Sequence, residues 1–170
     1  MKMDKRGFSL AEIIVATIVM TMLMVSVIGY IQYSGEIWQD GYSKISSANY
    51  MRMATERIRL DMMSASSITQ PAALPGGNAT PTAMLRYAIP GVPGTYTISI
   101  VDDLLRRDYA NGAASATIRL GRNVASFTAT RLSSWSVQIH LEFKNDVPEE
   151  DGTYRIISSD TVTFMAPGAG

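Results

Sequence analysis

From Ile13 to Gly35 the chain carries no charged side chain, and that run is the first constraint on the fold. At about 1.5 Å per helical residue, Ile13 to Ile31 is long enough to cross a hydrocarbon core of roughly 30 Å. Aliphatic residues occupy positions 13, 14, 15, 18, 19, 23, 25, 27, 28 and 31. Each favours insertion by about 0.3 to 0.6 kcal/mol, whereas a carboxylate at the centre of a span costs about 3 kcal/mol. Glu12 sits at the edge of the run, so insertion wins and the carboxylate is drawn to headgroups or to a positive partner.

Part of the apolar content therefore belongs to a membrane segment. Of 170 residues 46% are apolar, which leaves one small domain as the ceiling for the remainder. Cysteine is absent, which excludes disulfides and thiolate metal sites. Net charge is zero and the signs beyond Tyr33 are interspersed, so no nucleic-acid partner is expected.

The seven residues before the run hold Lys2, Lys5 and Arg6 against one Asp4 and end in Gly7, followed by Phe8. An ordinary secretory signal has an apolar region of about 7 to 15 residues closed by small residues. Here the run is longer, ends in Tyr30, Ile31, Gln32 and Tyr33, and has its cleavage signal in front. The basic residues favour a cytoplasmic N-terminus, which places the chain after about Tyr33 outside the cytoplasm.

Arg6-Gly7-Phe8-Ser9-Leu10-Ala11-Glu12 followed by an apolar run resembles the class III leader of type IV prepilins and type II secretion pseudopilins. The resemblance implies cleavage between Gly7 and Phe8 by a prepilin peptidase, N-methylation of Phe8, and a role for Glu12 in assembly. Its physics is independent of the family. Cleavage would leave an ammonium on Phe8 at the membrane depth of the Glu12 carboxylate, and a pair formed between neighbouring subunits would select one axial register.

Beyond the span, Trp38, Tyr42, Ile45, Ala48, Met51, Ile58, Met62 and Ala65 recur at helical spacing and predict one apolar stripe. Arg52 with Glu56 and Arg57 with Asp61 fall at i,i+4 and are expected on the exposed side as solvated pairs. An unbroken helix from Phe8 to Ile68 would be about 90 Å long; Gly29, Gly35 and Gly41 are the expected places for bending or local melting. Residues 70–81, rich in Pro and Gly, read as a loop.

Strand-prone runs follow at Met84–Ile89, Tyr96–Val101, Ala116–Leu120, Val124–Arg131, Trp135–Phe143 and Tyr154–Met165. The expected fold is α+β and pilin-like, a long N-terminal helix packed on an antiparallel sheet. It comprises a leader (1–7), a transmembrane helix (8–33), an amphipathic helix (34–70) and a β-rich domain (71–170). The part from about Glu36 onward is expected to fold without the span.

Little of the remaining sequence points to chemistry. Alternation in Trp135–Phe143 puts His140 on the polar face, where a lone histidine bonds to solvent or a neighbour, and there is no second histidine for a triad or a His-based metal site. The acidic groups Asp102–Asp103 and Asp146, Glu149, Glu150 and Asp151 read as polar turns, with calcium the alternative. Gly76-Gly77 lacks the Lys-Ser or Lys-Thr of a phosphate loop. No cofactor and no enzymatic activity are expected.

Tyr96-Thr-Ile-Ser-Ile, Leu104-Leu-Arg106-Arg107 and Asn123-Val124 resemble the J-type minor pseudopilins and related minor pilins. The expected partners are other pilins or pseudopilins, the prepilin peptidase, an inner-membrane assembly platform and membrane lipid. The competing readings are a membrane-tethered binding protein and the major repeating subunit.

Overall fold

A computed structural model describes residues 9–72, 80–112, 114–146, 148–149 and 151–166. Gly7, Phe8, Gly76, Gly77 and Glu150 lie outside the described residues. The chain divides after Gly41 into two compact units.

Helix α1 spans Leu10–Ser64. Gly29, Gly35 and Gly41, the expected places for bending or local melting, all lie in helical backbone. The amphipathic helix expected to reach residue 70 ends at Ser64 instead. Ser64, Ser66 and Ser67 can satisfy their own backbone in non-helical conformations, and the Ser66 N–H donates to the Ala88 carbonyl at 2.9 Å. Ser67–Gln70 then forms strand β1.

In the second unit, β1 is followed by β2 (Met84–Ala88), β3 (Thr95–Val101), β4 (Leu104–Asn111) and β5 (Ala114–Arg122). These five pair antiparallel in sequence order. A second antiparallel sheet holds β6 (Val124–Arg131), β7 (Ser136–Lys144) and β8 (Ile156–Met165). The architecture is α+β, with two sheets where one was expected. Strand β4 falls in a stretch the sequence pattern left without a strand.

Every second residue of β7 points inward: Val137, Ile139, Leu141 and Phe143 are buried and alternate with half-buried polar residues. These four join Leu85, Tyr87, Ile98, Leu105 and Phe127 from the other strands around Met51, Ala54, Ile58 and Met62 of α1 and Ala65 just beyond it. One layer of helix thus covers apolar residues from both sheets, removing them from water at roughly 25 cal/mol per Å².

The inward face of α1 differs from the expected stripe. Met51, Ile58, Met62 and Ala65 are buried, but Trp38, Tyr42, Ile45 and Ala48 are exposed. Ser43 and Ser47 occupy the inward positions at that level. Ser43 Oγ donates to the Asn145 side-chain oxygen at 2.7 Å, a bond to the segment after β7 that an apolar side chain could not make.

Gly94, at the start of β3, has φ +117°, a region that L side chains rarely adopt. A Cβ there would stand 2.9 Å from Asn111 Cβ and closer still to the Ala110 carbonyl oxygen. Gly94→Ala is expected to lower stability by about 2 to 4 kcal/mol, backbone strain plus separation of β3 from β4. Gly91→Ala, at φ +75° with nothing within 4 Å, should cost about 1 kcal/mol. Urea unfolding followed by circular dichroism compares the two, and equal midpoints would remove the contact with β4 as a cause.

Candidate functional site

The first turn of α1 carries the residue the sequence singled out. Ser9 N–H donates to Glu12 Oε2 at 2.9 Å, and Glu12 N–H donates to Ser9 Oγ at 3.2 Å. This reciprocal capping box satisfies two donors that have no partner within the helix. It also places a carboxylate at the positive end of the helix dipole. Gly7 and Phe8, where the leader resemblance puts cleavage and methylation, lie outside the described residues, so no pairing of Phe8 with Glu12 is described.

From Ile13 to Tyr33 α1 is exposed all round: Ile13, Ile14, Val15, Ile18, Val19, Leu23, Val25, Val27, Ile28 and Ile31 each stand more than half exposed. The most apolar 18-residue window has a mean hydropathy of 2.3 and none of it is buried. A core helix of a soluble protein would bury such a stretch, so this segment is a candidate membrane span. Thr17 Oγ1 and Ser26 Oγ return their hydrogen bonds to the carbonyls of Ile13 and Met22, four residues back, at 2.7 and 2.9 Å. That removes a polar cost which hydrocarbon would otherwise impose.

The second unit holds a polar cluster that sequence reasoning missed. Asp61, expected on the exposed side of α1, is buried in the core. Arg107 of β4, also buried, donates from Nε to Asp61 Oδ2 at 2.6 Å and from Nη2 to Oδ1 at 3.1 Å. The Tyr87 hydroxyl donates to Asp61 Oδ2 and accepts from Arg107 Nε at 3.1 Å. Tyr96 lies beneath, its ring 4.1 Å from the guanidinium carbon and stacked on Tyr87 at 5.5 Å.

Burial works against the Arg107 charge, but Tyr87 and Asp61 outweigh it and hold the guanidinium above its ordinary range. Burial first, and then the Asp61 carboxylate, push the Tyr87 hydroxyl far above its ordinary value, with Arg107 opposing. No described buried side-chain polar atom lacks a hydrogen-bond partner. A saturated cluster of this kind holds α1 to the sheet. Arg57 reaches Asp61 Oδ1 only from the rim, at 3.6 Å. Glu56 pairs with Arg59 at 2.6 Å, whereas Arg52 had been the expected partner.

His140 lies on the outward side of β7, with Nδ1 2.8 Å from Thr161 Oγ1 and Nε2 3.1 Å from Glu142 Oε1. The Ser126 hydroxyl, then His140, hold the Glu142 carboxyl below its ordinary range. Asp102 and Asp103, at φ 53° and 59°, form the turn between β3 and β4, as a polar hairpin requires. Their charges are met by Arg106 at 3.4 Å and Lys144 at 2.7 Å respectively. Asp151 accepts from Thr153 at 2.6 Å, and Glu149 faces Arg155 at 3.8 Å. Among the described residues no three His, Cys, Asp or Glu side chains group to hold a metal.

Fold and site together define an α+β protein with one helix long and apolar enough to cross a membrane. Comparison with family models, characterised proteins and solved structures yields no match.

Proposed function

We propose that this chain is a structural subunit of a type IV pilus or type II secretion pseudopilus, anchored in the inner membrane by a single span. In this reading prepilin peptidase cuts between Gly7 and Phe8, Phe8 is methylated, and the globular unit stands outside the cytoplasm. An assembly platform then draws the subunit into a filament of other pilins or pseudopilins, and the chain performs no chemistry itself. The observation that carries the reading is an apolar helical stretch with none of its most apolar 18 residues buried, with Glu12 in the helix's first turn, shortly after the Gly7-Phe8 pair.

N-terminal sequencing of the membrane-extracted protein tests the reading. The mature chain is expected to start at Phe8, and Gly7→Val should leave the basic leader attached. A mature start near Gly35 would overturn the proposal.

Within the family, a low-copy minor subunit near the tip fits best. Glu12 is retained, whereas in the resembling families the subunit at the extreme tip lacks that glutamate. Two sheets also make a bulky head to repeat at every helical step. Quantitative mass spectrometry of sheared filaments should find the chain far below the dominant subunit; finding it as the most abundant component would make it the major pilin instead.

A further inference from the structure

The candidate span ends in aromatic side chains that nothing in the first unit covers. Tyr30, Tyr33 and Trp38 are 72%, 63% and 78% exposed, with Ile37 beside them at 53%. We infer that Tyr30, Tyr33 and Trp38 form an interfacial girdle that seats among zwitterionic phospholipid headgroups where α1 leaves the membrane. The inference rests on the membrane-anchored part of the proposed function and is independent of any filament.

The span sets the depth of these residues. Counted from Ile13, a hydrocarbon core of about 30 Å is used up after about 20 helical residues, near Gln32. Tyr30 and Tyr33 therefore lie at the boundary. Trp38 follows five residues later, about 7.5 Å further along the axis, against a headgroup layer of roughly 5 to 8 Å. Helical side chains lean toward the N-terminus, which returns the indole into that layer.

The chemistry matches the depth. Tyrosine and tryptophan pair an apolar ring with one polar tip, the combination that favours a layer wet on one side and apolar on the other. Between Arg6 and Lys44 there is no basic residue, and Glu36 and Asp40 are the charges nearest the girdle. Carboxylates beside electron-rich rings favour the ammonium of a choline or ethanolamine headgroup over an anionic lipid.

The chain has two tryptophans, and Trp135 is half exposed, so Trp135→Phe leaves Trp38 as the sole indole reporter without opening the core. The full chain is reconstituted in vesicles of phosphatidylcholine and phosphatidylethanolamine carrying a nitroxide either on the headgroup or at mid-acyl chain. The headgroup label is expected to remove several-fold more Trp38 emission than the acyl label. A Met22→Trp variant with Trp38→Phe and Trp135→Phe should show the reverse order. If Met22→Trp is quenched by the acyl label while Trp38 is quenched by neither, or by the acyl label more strongly, the girdle is overturned and the membrane anchor stands. If Met22→Trp is quenched by neither label, the anchor itself fails and the girdle with it.

Discussion

Arg107→Ala is expected to cost the second unit about 3 to 5 kcal/mol, because it leaves the buried Asp61 carboxylate with no compensating charge. Against a total stability of about 5 to 15 kcal/mol, the variant should be largely unfolded at modest urea concentrations. Both groups are almost fully shielded, at 6% and 4% exposure, so water cannot replace the lost guanidinium. Removing the whole cluster is a different matter. Asp61→Leu, Tyr87→Phe and Arg107→Met together replace polar groups by apolar ones of similar size, and the triple variant should recover most of the loss. A cost below about 1 kcal/mol for Arg107→Ala, the range of exposed pairs, would show that Asp61 is wetted.

The same cluster predicts a dependence on alkaline pH. Tyr87 ionises far less readily in the folded chain than in the unfolded one, where its pKa is about 10. Its contribution is therefore complete below about pH 10 and is lost as pH rises above that value, by at most about 1.4 kcal/mol per unit. Tyr87→Phe should flatten that part of the stability profile, measured as urea midpoints against pH.

Glu12→Ala is expected to leave membrane insertion intact while incorporation into filaments falls by about 100-fold or more. Insertion gains from losing a side-chain charge at the edge of the span. The capping box loses one of its two bonds, a cost of about 0.5 to 1 kcal/mol at the helix start. In the proposed filament, assembly would lose an ion pair in low dielectric, a cost of about 3 to 5 kcal/mol when one partner stays charged. Glu12→Gln keeps an acceptor for the Ser9 N–H without the charge and should assemble as poorly as alanine. Immunoblots of membrane and sheared-filament fractions read both effects. Wild-type incorporation of Glu12→Gln would place the role of Glu12 in capping, and absence of Glu12→Ala from the membrane would place it in targeting.

Legibility in the sequence followed the range of the interaction concerned. The exposed apolar part of α1, the alternation in β7 and the turn at Asp102–Asp103 were readable because each is set by neighbours within a few residues. Strand β4 was not, since its inward positions include Arg107 and its composition alternates poorly, although Leu105 and Arg107 keep a period of two. Asp61 had a signal that went unused: it lies three residues after Ile58, which helical spacing places on the same buried face. Residue type alone points Asp61 to water, whereas its helical position points inward.

The sequence by itself determined an uncharged helix that can cross a membrane, the order of helix before strands, and the residues of the Gly7-Phe8 junction and Glu12, because these depend on local composition and spacing. Only the tertiary structure decided which side of α1 meets the sheets. Trp38, Tyr42 and Ile45 are more apolar than Ser43 and Ser47, yet the serines are the buried ones, and the Ser43 hydroxyl is satisfied there by Asn145, 102 residues along the chain. Tertiary structure likewise decided that Asp61 is a core residue. Its burial is tolerable only because a guanidinium 46 residues away arrives at 2.6 Å, and no local pattern can announce a partner that far along the chain.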